Sequence, residues 1–202
     1  ALVGEEAEFE AVGYYDEFDL TALAVESTSL PTDAVASRIA ERAGVEPTAL
    51  YLPTYATGSL AGSVVTAARA VELAVVRLFE LGYDPTDVLS GVGEAPVAPV
   101  SHDETVAVGR TDDALAHGGR VHLAVRTDDD ALTAVPSTAA ETFGEPFATR
   151  FDRPDATIGD APTSVFAPAA VTADVVDGPV RAAGRRRESY LAESFGLPAP
   201  DA

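Results

Sequence analysis

The sequence predicts an α+β fold, a mixed sheet with packed helices. Three observations predict it. The apolar run at residues 20–25 reads as a buried strand and passes into a helix-patterned segment. A long apolar helix runs to about Leu81. The stretch Arg120 to Arg126 alternates Val and Leu with polar residues, as a half-buried strand does.

Each element has its own local cause. Residues 1–19 are acidic and aromatic (Glu5, Glu6, Glu8, Phe9, Glu10, Tyr14, Tyr15, Asp16, Glu17, Phe18) and lead into the first strand. Pro31-Thr32-Asp33 then opens a helix with Val35, Ala36, Ile39, Ala40 and Ala43 on one face, which Gly44 closes as a left-handed cap. Leu50-Tyr51-Leu52 is a short strand. The Gly/Ser-rich segment Gly58 to Ser63 feeds the long helix, which Gly82 ends. An extended piece starts at Val88-Leu89. Gly91 to Val100 reads as a glycine- and proline-rich loop with a closely approachable backbone, a candidate pocket wall. A short helix precedes Gly118-Gly119, and an antiparallel element is expected around residues 120–126. The segment from Phe166 to Val175 can pair with Val180 to Ala183 across Asp177-Gly178-Pro179, and Glu188 to Phe195 reads as a terminal helix.

Composition narrows the chemistry. Of 202 residues 47% are hydrophobic, enough for one sizeable core or two small lobes, and no apolar run approaches the roughly 18 residues a membrane helix needs. A membrane is therefore not expected as a partner. Cysteine is absent, which removes thiolate metal sites and thiol nucleophiles. Net charge is −20, and all 13 basic residues are arginine. Acids spread along the whole chain read as adaptation to concentrated salt, which screens their mutual repulsion. The single basic cluster, Arg185-Arg186-Arg187, is too small to predict a nucleic-acid partner. Methionine is absent throughout, so Ala1 either follows an excised initiator or lies inside a longer product.

Among polar groups, Arg69 and Glu72 lie three apart on the long helix and can touch. On an ordinary surface such a pair is worth about 0.2–0.5 kcal/mol, and Arg77 and Glu80 fall on the same stripe, as a solvent face requires. Against that reading, the first pair follows a Gly/Ser entry segment of the kind that lets a ligand approach backbone N–H groups. None of His102, His117 and His122 is assigned as a metal ligand, no serine sits in a Gly-x-Ser-x-Gly elbow, and Gly58 to Ser63 lacks the Lys of a phosphate loop.

An ordered series of segments carries a resemblance further. Val25-Glu26-Ser27 with Leu30-Pro31, Gly62-Ser63 followed by Arg69-Ala70-Val71-Glu72, Ala95-Pro96-Val97-Ala98-Pro99-Val100, and Gly109-Arg110-Thr111-Asp112-Asp113-Ala114-Leu115 with His117-Gly118-Gly119-Arg120-Val121 come first. Pro136-Ser137-Thr138, Phe143 to Phe147, Phe166-Ala167-Pro168-Ala169 and Ser194-Phe195-Gly196 continue it. Together they resemble the methenyl-tetrahydromethanopterin cyclohydrolase family of archaea. Tyr55-Ala56-Thr57 stands where the family reads Ala-Pro-Thr, Phe143 replaces a usual tyrosine, and Arg187 appears near a usual asparagine.

The resemblance implies that residues 1–202 form the C-terminal two-thirds of a two-lobed cyclohydrolase, with a pocket between lobes and the N-terminal part missing, so that this chain alone is expected to be inactive. It implies hydrolysis of the methenyl bridge of a tetrahydromethanopterin-type carrier to the formyl derivative. No prosthetic group, metal or nucleotide is expected. By resemblance Glu72 is the catalytic carboxylate, Arg69 orients it, and Ser63, Pro96 and Thr138 bind substrate. A cytoplasmic homo-oligomer, such as a trimer, is implied as well. The competing expectation is a noncatalytic pterin-binding or assembly domain that keeps the fold. An enzyme should bury the Arg69–Glu72 pair in a cleft; a scaffold can leave it on open surface.

Overall fold

The computed structural model describes residues 6–14, 18–140, 143–144, 147 and 163–198. Glu5, Tyr15, Asp16 and Glu17 of the acidic lead-in, and Glu145-Pro146 of the matched segment, lie outside them. Seven α-helices are found among the described residues: α1 Ala7–Val12, α2 Asp33–Ala43, α3 Leu60–Ala68, α4 Ala70–Glu80, α5 Glu104–Gly118, α6 Ala131–Ala134 and α7 Glu188–Phe195. The strands are β1 Thr21–Ala22, β2 Val25–Glu26, β3 Leu50–Tyr51, β4 Thr54–Tyr55, β5 Val88–Glu94, β6 Arg120–Val125, β7 Ala170–Val175 and β8 Val180–Gly184. The α+β class is as the sequence predicts, and no described helix is long and apolar enough to cross a membrane.

The main sheet has order β5-β6-β7-β8. It is mixed: β5 runs antiparallel to β6, β6 parallel to β7, and β7 forms the predicted hairpin with β8. Alternation decides its faces. Val121, Leu123 and Val125 of β6 and Val171, Ala173 and Val175 of β7 point inward, where Ala70, Ala74 and Leu78 of α4 meet them with Leu115, Leu132 and Val135. His122 lies on the wet face, 3.1 Å from an Asp174 oxygen.

Gly91 and Gly93 belong to β5, which corrects the expectation of a loop from residue 91 onward. Their role is packing: a Cβ at Gly91 would meet Val71 Cγ1 at 2.7 Å, and one at Gly93 would meet Val71 Cγ2 at 2.9 Å. Two bare positions let α4 lie directly on the strand.

The expected long helix is two helices. Arg69, at φ −81° and ψ 1°, ends α3 and begins α4. Its N–H donates to the Thr66 carbonyl at 3.1 Å, a tightened last turn, and its own carbonyl accepts from Leu73 N at 2.9 Å. Neither glycine nor proline marks the break. The helix before Gly118-Gly119 is also longer than expected, at 15 residues, and most of its second half is buried.

Toward the N-terminus the packing is thinner. Residues 21–26 run parallel to 50–55 as a narrow ribbon, joined by Leu23 N to Tyr51 O and Val25 N to Pro53 O. With one partner strand the ribbon is not the buried strand its apolar run predicts, and Leu20 and Tyr51 are each 59% exposed. α2 forms as read, with the Thr32 side chain accepting from Val35 N and Gly44 at φ 68° closing it.

Candidate functional site

A cleft of about 480 Å³ opens between the ribbon, α1, the α3–α4 junction and α5. Glu26 and Thr57 line one wall, Thr66, Arg69, Glu72, Leu73 and Val76 another, and Val108, Thr111, Asp112 and Leu115 a third, with Glu8 and Phe166 completing it. Thr57 is buried, and its hydroxyl donates to Glu26 Oε1, which fixes that carboxylate at the ribbon's edge.

Arg69 grips Glu72 as a fork. Nε donates to both carboxylate oxygens at 3.2 Å and Nη2 donates to Oε1 at 2.7 Å. The break between helices makes this possible, because Arg69 stands at the start of α4 and Glu72 in its first turn, where an acid also favours the helix dipole. The hydrogen bond to Glu72 raises the Arg69 pKa; burial opposes it, and the charges of Glu72, Tyr55 and Asp112 add to it. The pair is at the rim of the cleft, with side chains 48% and 53% exposed, so it meets the expectation of a cleft position but not that of burial.

The cleft's other charged groups escaped sequence reasoning. Asp112 is half-buried, and its pKa is pushed up to about 8 by burial first, then by the charges of Asp113 and Glu26, with Arg69 pulling the other way. Tyr55 is raised by burial and by Glu26, against Arg69. A signal existed for Asp112: two successive acids in a helix otherwise built for the interior cannot both face water.

Ser63, Pro96 and Thr138 do not line this cleft. Ser63 is buried inside α3. Pro96 packs on the end of α5, where a Cβ at Gly118 would meet its Cγ at 2.6 Å. Thr138 sits on the short 3₁₀ turn Ser137–Ala139, beside Ser137, whose hydroxyl donates to the Ala116 carbonyl. Of the five, this cleft brings together Arg69 and Glu72.

His117 has Asp113 one turn before it, a spacing the sequence reading passed over. The two are buried, with His117 Nε2 3.6 Å from Asp113 Oδ1, which also accepts from Phe147 N at 2.8 Å. The His117 ring stacks on Tyr190 at 5.0 Å, and the Arg187 guanidinium lies 5.1 Å over Phe143 and 5.4 Å over Tyr190. Phe143 and Arg187, two of the departures noted above, are therefore neighbours in a knot that ties α7 to α5. Among the described residues no group of three or more His, Asp or Glu is arranged to hold a metal ion.

Comparison with known proteins agrees with the resemblance. The chain is 58% identical over 197 residues to the methenyltetrahydromethanopterin cyclohydrolase of Halobacterium salinarum, covering 98% of this chain and 63% of that protein. It is 37% identical over 196 residues to that of Methanothermobacter marburgensis and 34% over 195 residues to that of Methanococcoides burtonii, each covering 94% of this chain and 61% of the relative. The chain thus spans less than two-thirds of the length of these curated relatives. The family model described as Cyclohydrolase (MCH) matches residues 1–195, and with these identities it places the chain in the cyclohydrolase (MCH) family.

Proposed function

We propose that the protein carrying this chain adds water to the cationic methenyl bridge of a tetrahydromethanopterin-type carrier and gives the formyl derivative. The observation that carries this reading is the forked Arg69–Glu72 pair on the wall of a cleft large enough for a bicyclic ring. The electrophile is already activated by its charge, so the protein's work is to place a water and move protons. Glu72 takes a proton from the attacking water, and Arg69 holds the carboxylate in one orientation. Glu8, Glu26 and Glu72 line the cleft against a single arginine, which favours a cationic ligand.

The test follows loss of methenyl-pterin absorbance by the full-length protein in molar KCl, with tetrahydromethanopterin and tetrahydrofolate carriers side by side. Turnover with the first and its loss in Glu72→Gln support the reading. A folded full-length protein that binds either carrier without turnover supports a noncatalytic binding domain instead.

A further inference from the structure

The cleft that holds Arg69 and Glu72 has a neighbour. A second cavity, of about 300 Å³, is lined chiefly by hydroxyl side chains, those of Ser27, Thr28, Thr57, Ser59 and Ser101. Thr57 lines both spaces, so they adjoin across one buried side chain. Side chains alternate along an extended chain, and at the end of β2 this aims Glu26 into the cleft and Ser27 into the cavity.

The cavity is held in shape by the backbone. A Cβ at Gly58 would meet the Ser101 carbonyl oxygen at 2.0 Å, so the bare glycine lets the loop after β4 lie directly on the loop before α5. Ser101 N donates to the Gly58 carbonyl at 3.1 Å across that contact. The hydroxyls differ in what they have left to offer. Ser59 is spent, accepting from Gly62 N and donating to the Ala56 carbonyl. The Ser27 hydroxyl accepts from Ser29 N and the Ser101 hydroxyl from Asp103 N, each at 3.1 Å. A serine hydroxyl carries one proton and two lone pairs, so these two are fixed in place with the proton still available to a ligand.

The two spaces are chemically unlike. Acids around one arginine line the cleft, whereas the cavity has Glu104 as its one carboxylate and no arginine among its described lining residues. Groups that both donate and accept match a ligand built of hydroxyls, which does the same. A carboxylate ligand only accepts, and it is best met by the planar arginine fork that this wall lacks.

We propose that this cavity is the subsite for the neutral, hydroxylated arm of the carrier, with Ser27 and Ser101 donating to it while the ring lies against Glu72. The proposal rests on the cyclohydrolase reading and deepens it. A tetrahydromethanopterin-type carrier bears a chain of hydroxylated carbons on its aryl ring, where a tetrahydrofolate-type carrier bears an amide-linked glutamate. The side chains that tell the carriers apart thus stand across Thr57 from the reacting carbon, and they act on binding and not on the chemical step.

The experiment measures KM and kcat of the full-length protein in molar KCl with 5,10-methenyl-tetrahydromethanopterin and 5,10-methenyl-tetrahydrofolate. Wild type is compared with Ser27→Ala, Ser101→Ala, the double variant and Thr28→Val, and a dissociation constant from calorimetric titration replaces KM for any carrier that is not turned over. One lost hydrogen bond is worth roughly 2–10-fold in binding. Each serine variant is expected to raise KM for the first carrier by about that factor, and the double variant by about 10–100-fold, with kcat within about twofold. The preference for the first carrier over the second falls in proportion. Each serine variant also gives up a backbone contact; should they not fold, Thr28→Val serves, because Thr28 is exposed and the change removes only its hydroxyl. A double variant that keeps the wild-type preference overturns the proposal, as does an equal rise in KM for both carriers, or an unchanged preference in Thr28→Val where that variant stands in. Failure of the underlying reading shows elsewhere, as full activity in Glu72→Gln.

Discussion

Where α4 begins it presents Arg69 and Glu72, and in its last turn Arg77 and Glu80, the same residues at the same spacing on one stripe. The pairs differ in what surrounds them. The last-turn pair is the more buried, 23% and 31% exposed, and makes a 3.2 Å contact between Arg77 Nη1 and Glu80 Oε2. Arg77 Nε is shut from solvent with no hydrogen-bond partner among the described residues, as expected of a stem packed for its hydrocarbon. The first pair is more exposed yet better formed, with three N–H to carboxylate contacts, and it opens onto a cleft. Burial alone would choose the last-turn pair; what separates the two is the space in front of the carboxylate and the charges across it.

The comparison breaks most sharply at the two glutamates. Glu72→Gln is expected to lower turnover about 10²–10⁴-fold with folding intact, while Glu80→Gln leaves kcat within about twofold. Equal losses in both would mean that α4 matters as a packed helix and not through its first turn. The arginines come next. Arg69→Lys keeps the charge and loses the planar fork, and misplacing the carboxylate by about 1 Å should cost roughly 10–100-fold in kcat. Arg77→Ala should instead destabilise by about 1 kcal/mol through lost packing, read as a shifted denaturation midpoint with unchanged activity per folded molecule.

A third variant asks whether the position of α4 on the sheet matters to both ends. Gly93→Ala puts a Cβ 2.9 Å from Val71 Cγ2 and 3.2 Å from Ala70 Cβ, so the helix must shift or strain. A destabilisation of about 1–3 kcal/mol is expected by chemical denaturation. If activity falls further than stability explains, the register of α4 against β5 sets the geometry of Glu72.

The parts of the fold readable in the sequence are those whose causes are local. The Thr32 cap and Gly44 define α2, the Asp177-Gly178 turn defines the β7–β8 hairpin, and β6 announces itself by alternation. What was not readable depends on distant neighbours. Gly91 and Gly93 look like a loop until Val71 is packed on them, and the break at Arg69 has no glycine or proline to mark it. The apolar run at residues 20–25 predicts burial that a two-stranded ribbon does not supply. The site follows the same rule. Arg69 and Glu72 were legible through resemblance and could not have been picked by spacing, since Arg77 and Glu80 share it. Ser63, Pro96 and Thr138 came from matching segments and do not line this cleft, whereas the setting of Asp112 required knowing that Glu26 comes across from another element.

A last effect is thermodynamic and is read on the α5 wall of the cleft without any substrate. Asp112 titrates near its ordinary 3.8 in the unfolded chain and at about 8 in the folded one, so between those values the folded state holds a proton that the unfolded state has lost. Stability from this group is therefore greatest below pH 4, declines as pH rises from about 4 to 8, and levels off above 8. Asp112→Asn removes the dependence, and in thermal melts its Tm should gain on the wild type by roughly 2–4 °C for each kcal/mol recovered as the buffer goes from pH 5 to 9. A level difference for Asp112→Asn would place the Asp112 carboxyl in contact with water, and the α5 wall of the cleft would then be as open as its rim.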